Sequence, residues 1–228
     1  MSFLQDVRAI LLDIEGTTTP IAFVHDVLFG YAREHVREFL AQNPDAEEIA
    51  LLREEHAVDV KEGRNPPPMV AEYVEWLIKL DRKSTGLKSL QGKIWQKGYE
   101  EGSLKAQVFA DVAPAFARWR ERGLTIAIFS SGSVLAQQLL FAHTDAGDLT
   151  PFIESYFDTK VGKKGEAESY RRIAETTGLE PERILFISDV GVELDAASEA
   201  GMKTVLSIRP GNSEQPQGYS SISTFDSI

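Results

Sequence analysis

RAILLDIEGTTTP, residues 8–20, is the stretch on which the fold turns. Five mostly apolar residues are closed by an acid, a second acid, a glycine and three threonines. A run this short, ended by polar and turn-forming residues, reads as a buried strand that runs into a loop. The same design recurs downstream: LTIAIF at 124–129 before SSGS, ILFI at 184–187 before SDVG, and TVLSI at 204–208 before RPGN. Helical spacing fills the gaps. Val112–Arg122 precedes the second run, and Ser133–His143 carries Val134, Leu135, Leu139 and Leu140. Glu166–Thr177 spaces Tyr170, Ile173 and Ala174 and stops at Gly178, and Leu194–Ala200 ends at Gly201. Strands alternating with helices predict an α/β fold with a parallel sheet covered on both faces. Ligands of such sheets bind beyond the carboxyl ends of the strands. Asp13, Glu15, Ser130, Ser131 and Asp189 all fall at those ends.

Residues 20–105 interrupt the alternation. They show helical periodicity and no convincing strand: Phe23, Val27, Leu28 and Tyr31 fit one face, Val70, Val74, Leu77 and Ile78 another, and Leu87, Leu90, Ile94 and Trp95 a third. NPPP at 65–68 separates two of these helices. The expected organisation is an α/β core of residues 1–19 and 106–228 with an all-helical insertion at 20–105. The tail after Arg209, rich in Ser, Gly, Gln and Pro, reads as mostly irregular.

Composition narrows the function. The 228 residues carry 35 acidic and 24 basic side chains, a formal net charge of −11, and no cysteine. The length suits one domain with an insertion or two small ones, and a core large enough to need no disulfide or zinc. The acid excess argues against a nucleic-acid partner, which needs a basic face for phosphates. No apolar stretch approaches the ~18 residues of a membrane span. The N-terminal run, flanked by Asp6, Arg8 and Asp13, is not expected to be a signal peptide. A cytoplasmic protein is expected.

Asp13 and Glu15 repel each other unless a positive charge sits between them. Mg²⁺ takes one or two carboxylates together with substrate oxygens. Asp189 would bring a third carboxylate to the same rim, with Glu193 one helical turn on. A carboxylate left free can attack phosphorus and form an acyl phosphate. Ser130, Ser131 and Gly132, just before a helix, offer donors to an anion, and Lys164 in VGKKGE could neutralise a transferring phosphoryl group. Each piece has a plain alternative: SSGS as a helix N-cap, paired lysines as solvated surface. What points to chemistry is the ordered set of acid pair, serine, lysine and acid.

DIEGT, IAIFSS, Lys164 and SDV resemble, in order, the four motifs of the haloacid dehalogenase superfamily of phosphatases. Most of its phosphatases have Asp where this chain has Glu15. That departure and LLDIEGTTTPIAFV are similar to the enolase-phosphatase family of methionine salvage. LDRKSTGLKSLQGKIW, VFADVAPAFARW, FSSGSVLAQQLLF, FDTKVGKK, GVELDAASEAG and IRPGN extend the likeness over about residues 8–212. The resemblance implies a Rossmann-like core with a helical cap inserted after the first motif. It implies Mg²⁺, one per monomeric subunit, and 2,3-diketo-5-methylthiopentyl-1-phosphate as substrate, enolised and then dephosphorylated to the acireductone. It implies Asp13 as nucleophile and metal ligand, and Glu15 as a metal contact (by carboxylate or backbone carbonyl) and candidate acid/base. Ser130, Ser131 and Lys164 become phosphate-binding residues, Asp189 the last metal ligand, and Glu193 its support.

The enolisation base is not identified; Lys83, Lys88 and Gln91 of the insertion read as solvated helix residues before catalytic ones, and helix spacing does not point His25 or His35 at the site. A general phosphatase or a dehalogenase of the superfamily is the nearer rival, and a phosphate-binding regulatory module without turnover the more distant one. Dehalogenation needs no metal acid cluster, and receiver-like modules lack a long helical insertion.

Overall fold

The computed structural model describes residues 3–80, 82, 84–212 and 217–228; Lys83 lies outside them. The chain divides into two compact units, one of Met1–Val24 and Lys105–Ile228, the other of His25–Leu104.

In the first unit, and among the described residues, a six-stranded sheet runs in the order β3-β2-β1-β4-β5-β6, every pairing parallel. The strands are β1 (Ala9–Leu12), β2 (Thr125–Phe129), β3 (Ser155–Phe157), β4 (Ile184–Ser188), β5 (Lys203–Ser207) and β6 (Ser221–Ile222). β1 and β4 are buried throughout. Their unbroken apolar runs fit a strand covered on both faces rather than half-exposed. Four strands stand where the sequence predicts them. The other two escape prediction for want of length, with three residues in β3 and two in β6. The tail after Arg209 is thus not wholly irregular: β6 extends the sheet, and a 3-10 turn at Phe225–Ser227 buries Phe225.

Helices of this unit are α5 (Val112–Glu121), α6 (Val134–Ala142), α7 (Ala167–Thr177) and α8 (Gly191–Glu199). Tyr170, Ile173 and Ala174 of α7 and Leu194, Ala196 and Ala197 of α8 join Leu11, Ala127, Phe129 and Phe186 of the sheet in one core. In α6, Leu140 is buried but Leu135 is exposed, so the apolar stripe is narrower than its spacing suggests.

The second unit comprises α1 (Phe29–Gln42), α2 (Glu47–Lys61), α3 (Val70–Lys79) and α4 (Thr85–Glu100). Val36, Leu52, Tyr73, Val74, Leu77, Leu87, Leu90 and Ile94 form its core. α2 carries no clear stripe in the sequence, and its burial shows why. Val58 and Val60 are exposed, whereas Glu48 and Asp59 are buried. Asp59 accepts hydrogen bonds from Arg64, Tyr73 and Arg82. Glu48 accepts from Ser89 and Lys93. Gln91 is also buried, not solvated, and His35 stacks on Tyr31 while its Nδ1 meets the Tyr31 carbonyl oxygen.

Candidate active site

β1 lies between β2 and β4, so the chain steps to one side of it for β2 and β3 and to the other for β4. That reversal is the switch point at which an open α/β sheet opens a crevice. Leu12 is level with Ile128 on one side and Ile187 on the other. The next residues of the three strands, Asp13, Phe129 and Ser188, therefore end at the same height, with Ser130 and Asp189 one step beyond. The Asp13 N–H donates to the Ile187 carbonyl at 3.0 Å, which carries the ladder up to the acid itself.

The loop after β1 is tightly wound. The N–H groups of Thr17, Thr18 and Thr19 all donate to the Ile14 carbonyl, and the Gly16 N–H donates to Thr19 O at 2.8 Å. Gly16 has φ +70°, a conformation glycine adopts without penalty. A Cβ there would overlap Oδ2 of Asp189 and stand 2.6 Å from its Cγ, so the Asp189 carboxyl rests on bare backbone. Glu15 is half-buried in this loop, bridged through its backbone to Thr19.

Lys163 and Lys164 have opposite fates. Lys163 is 84% exposed and pairs with Glu166 at the surface, whereas Lys164 is 9% exposed. Lys164 Nζ lies 2.6 Å from Asp13 Oδ1 and 2.6 Å from Glu193 Oε2. The Tyr170 hydroxyl donates to the Lys164 carbonyl at 2.7 Å, which fixes the lysine from its backbone. Burial disfavours the ammonium, but Asp13 and Glu193 outweigh burial and hold its pKa above the ordinary value. Glu193 also accepts from Ser188 Oγ at 2.9 Å. Its pKa is raised by burial and by the charge of Asp13, against the pull of Lys164. Burial, then Asp13 and Glu193, push Asp189 up to about 7.

Of SSGS, Ser133 takes the capping role, its Oγ accepting from the Ala136 N–H at 3.3 Å. Ser130 precedes the cap: its N–H donates to Phe157 O and its Oγ accepts from the Gly132 N–H. Ser131 is exposed. Gln137 donates to both Gly132 O and Phe157 O, which ties this loop to the end of β3.

Residues 7–201 match the haloacid dehalogenase-like hydrolase family. The chain is 52% identical to an enolase-phosphatase E1 from Synechococcus elongatus, covering 97% of this chain and 98% of the relative. It is 47% identical to one from Sorangium cellulosum (97% of each chain) and 43% identical to one from Drosophila grimshawi (98% and 97%). The chain belongs to the enolase-phosphatase family of haloacid dehalogenase-like hydrolases. The UTR4 protein of Saccharomyces cerevisiae superposes with a TM-score of 0.81 at 37% identity, over 97% of this chain and all of that one. A dehalogenase at 16% identity and TM-score 0.55 shares the fold. The chain is accordingly an enzyme, a hydrolase with the α/β sheet and helical insertion expected of it.

For this family the acid set can be tested against a divalent ion. Among the described residues, no three acids stand close enough together to grip an ion as they are. Like charges keep apart, and each acid has its own support: Asp13 from Lys164, Asp189 from Gly16, Glu193 from Lys164 and Ser188. Yet the single ammonium of Lys164 is shared between Asp13 and Glu193, and Asp189 lies within reach of the charges of both acids. Burial is the largest cause of the raised pKa values of Asp189 and Glu193, and the negative charge of Asp13 adds to it. A hard oxygen-seeking cation fits such a donor set. Glu193 supports Lys164 directly, a contact that its sequence spacing from Asp189 does not reveal.

Sequence reasoning passed over Ser188, Tyr170, Ser207, Arg209 and Asn212. The last three lie at or beyond the end of β5, on the same carboxyl rim of the sheet. Arg209 and Asn212 fall within IRPGN and Ser207 just before it, but no chemistry in those side chain types singles them out.

Proposed function

We propose that this enzyme enolises 2,3-diketo-5-methylthiopentyl-1-phosphate and then removes its phosphate, yielding 1,2-dihydroxy-3-keto-5-methylthiopentene in methionine salvage. One observation carries the reading: Lys164, buried at the carboxyl rim of the sheet, contacts both Asp13 and Glu193 at 2.6 Å. A buried cation there orients the acid and awaits an anion.

Asp13 is the nucleophile. One of its carboxylate oxygens bonds to phosphorus as the ester oxygen departs, and water then attacks the aspartyl phosphate to free Asp13 and inorganic phosphate. Lys164, Ser130 and Ser131 bind the phosphoryl oxygens, where preorganised donors contribute most to phosphoryl transfer. In enolisation a proton leaves C1 and one arrives at the C2 oxygen, with Glu15 the candidate acid/base. Asp13, Glu15 and Asp189 would hold one Mg²⁺, which supplies charge neutralisation at the phosphate oxygens. Residues 1–19 and 106–228 serve as the catalytic core and 20–105 as the cap. We read the protein as a cytoplasmic monomer with no nucleic-acid or membrane partner.

The test presents the diketo phosphate ester to purified protein with Mg²⁺ under anaerobic conditions. Enol absorbance should rise and give way to acireductone absorbance as phosphate appears, and Asp13→Asn should abolish phosphate release. Phosphate without an enol signal would reduce the enzyme to a plain phosphatase. Unimpaired release by the variant would remove Asp13 from the chemistry.

A further inference from the structure

The loop that carries Glu15 and Gly16 is held from outside by a segment with no assigned role, Ser207–Asn212. The Gly16 carbonyl accepts two hydrogen bonds, from Asn212 Nδ2 at 3.0 Å and from Ser207 Oγ at 3.3 Å. Asn212 Nδ2 also donates to Ser207 O at 3.3 Å, so the two donors are tied to one another. One residue along, the Thr17 carbonyl accepts from Arg209 Nε at 3.1 Å. Arg209 is buried, and it is braced through Nε and Nη1 but not through Nη2, which has no hydrogen-bond partner. Its Nη1 donates to Asp111 Oδ2 at 2.8 Å and Ser223 O at 3.0 Å, and its guanidinium lies 4.7 Å from the Phe109 ring and 4.4 Å from the Phe225 ring. Asp111 accepts in turn from Thr224 Oγ1 and the Phe225 N–H. Two successive peptide carbonyls are thereby pinned by side chains, one of which, Arg209, reaches back to the C-terminal turn.

The first of the pinned carbonyls belongs to Gly16, against which the Asp189 carboxyl lies. The atoms nearest the place a Cβ would take at Gly16 are the Asp189 carboxyl and Asn212 Oδ1, and this Oδ1 is buried without a hydrogen-bond partner. A buried amide oxygen left open costs free energy unless something donates to it. It lies beside a carboxylate assigned above to the metal.

We propose that Asn212, with Ser207 and Arg209 behind it, is a positioning residue that sets the affinity of the site for Mg²⁺. It holds the Gly16 peptide in the place that Asp189 requires, and its open Oδ1 is an acceptor for a donor that enters with the hydrated ion. Its role is to position, with no contact to the phosphate or the reacting carbons assigned to it. Groups that orient ligands in this way typically change metal affinity 10–100-fold when removed. The inference rests on the Mg²⁺ reading of the preceding section.

Titration calorimetry with Mg²⁺ alone, on native protein and Asn212→Ala, tests it. The variant should bind Mg²⁺ at least tenfold more weakly, with KM for the phosphate ester measured at saturating Mg²⁺ changed less than threefold and kcat largely recovered as Mg²⁺ is raised. A merely structural role would lower the melting temperature in EDTA and leave the Mg²⁺ dissociation constant alone. Ser207→Ala, which removes one donor and little volume, should shift the constant the same way by about threefold, and it decides the matter should Asn212→Ala fail to fold. A dissociation constant within twofold of native in every folded variant overturns the proposal. Failure of the native protein to bind Mg²⁺ at all would instead overturn the metal reading beneath it.

Discussion

Replacing Gly16 by alanine tests the site at its tightest point, and the structure supplies its own control. Gly16 and Gly123 have nearly the same backbone, φ +70° and +73°, but a Cβ at Gly123 meets nothing within 4 Å, whereas one at Gly16 stands 2.6 Å from Asp189 Cγ. Forcing a residue with a Cβ into the left-handed region costs about 1 kcal/mol in either place. For a chain of this size that is roughly 2–4 °C in melting temperature. Gly123→Ala should show that loss and full activity. At Gly16 the new methyl needs about 3.5 Å from carbon to carbon, so the Asp189 carboxyl must retreat by about 1 Å. A displacement of that size in a catalytic group typically costs about 10²-fold in rate. Gly16→Ala should therefore melt within a few degrees of Gly123→Ala yet release phosphate from the diketo ester about a hundredfold more slowly. The assay is phosphate release at saturating Mg²⁺ beside thermal melts of the three proteins. A Gly16→Ala protein that folds and keeps its rate to within threefold would refute the placement of Asp189 against this loop, or its part in the reaction.

Two further outcomes follow from buried groups away from the site. Burial raises the pKa of Asp59, but hydrogen bonds from Tyr73, Arg64 and Arg82 outweigh burial and hold it below the ordinary value. The stability this provides is full above the unfolded carboxylate pKa, near 4, and is lost as pH falls through the lower folded value. Asp59→Asn should cost about 2 kcal/mol at pH 7, less than a fully buried pair because Arg64 and Arg82 are 42% and 33% exposed. Its melting temperature should then fall less than that of the native protein between pH 5 and pH 3, and parallel curves would rule the mechanism out. Phe225 is fully buried, with its ring centroid 5.2 Å from that of Trp119. Phe225→Ala should cost roughly 3–4 kcal/mol, lowering the melting temperature by about 6–15 °C; a change under 2 °C would mean that the C-terminal turn contributes little to the core.

What could be read from the letters, and what could not, divides along a physical line. The parallel sheet was legible because strands buried on both faces must be apolar throughout, and four such runs stand out against charged flanks. β3 and β6 were not, since three and two residues carry no periodicity. α2 was hidden for a different reason: its buried members include Glu48 and Asp59, and its exposed ones Val58 and Val60, an inversion that makes sense only once the partners Arg64, Arg82 and Lys93 are in place.

The site divides in the same way. Asp13, Glu15 and Asp189 could be singled out as candidates because phosphoryl chemistry calls for carboxylates and the strands deliver their ends to one rim. Lys163 and Lys164 were indistinguishable as letters. Only the Tyr170 hydroxyl on the Lys164 carbonyl, and the carboxylates of Asp13 and Glu193, make one of them a buried cation and leave the other in solvent. The Asn212 clamp was the least legible part, because the groups it holds are the peptide carbonyls of Gly16 and Thr17. Every residue has such a carbonyl, so no letter announces that these two are gripped. On the Mg²⁺ reading proposed above this loop has to be held in place, and the hydrogen bonds that hold it come from Ser207, Arg209 and Asn212, far along the chain.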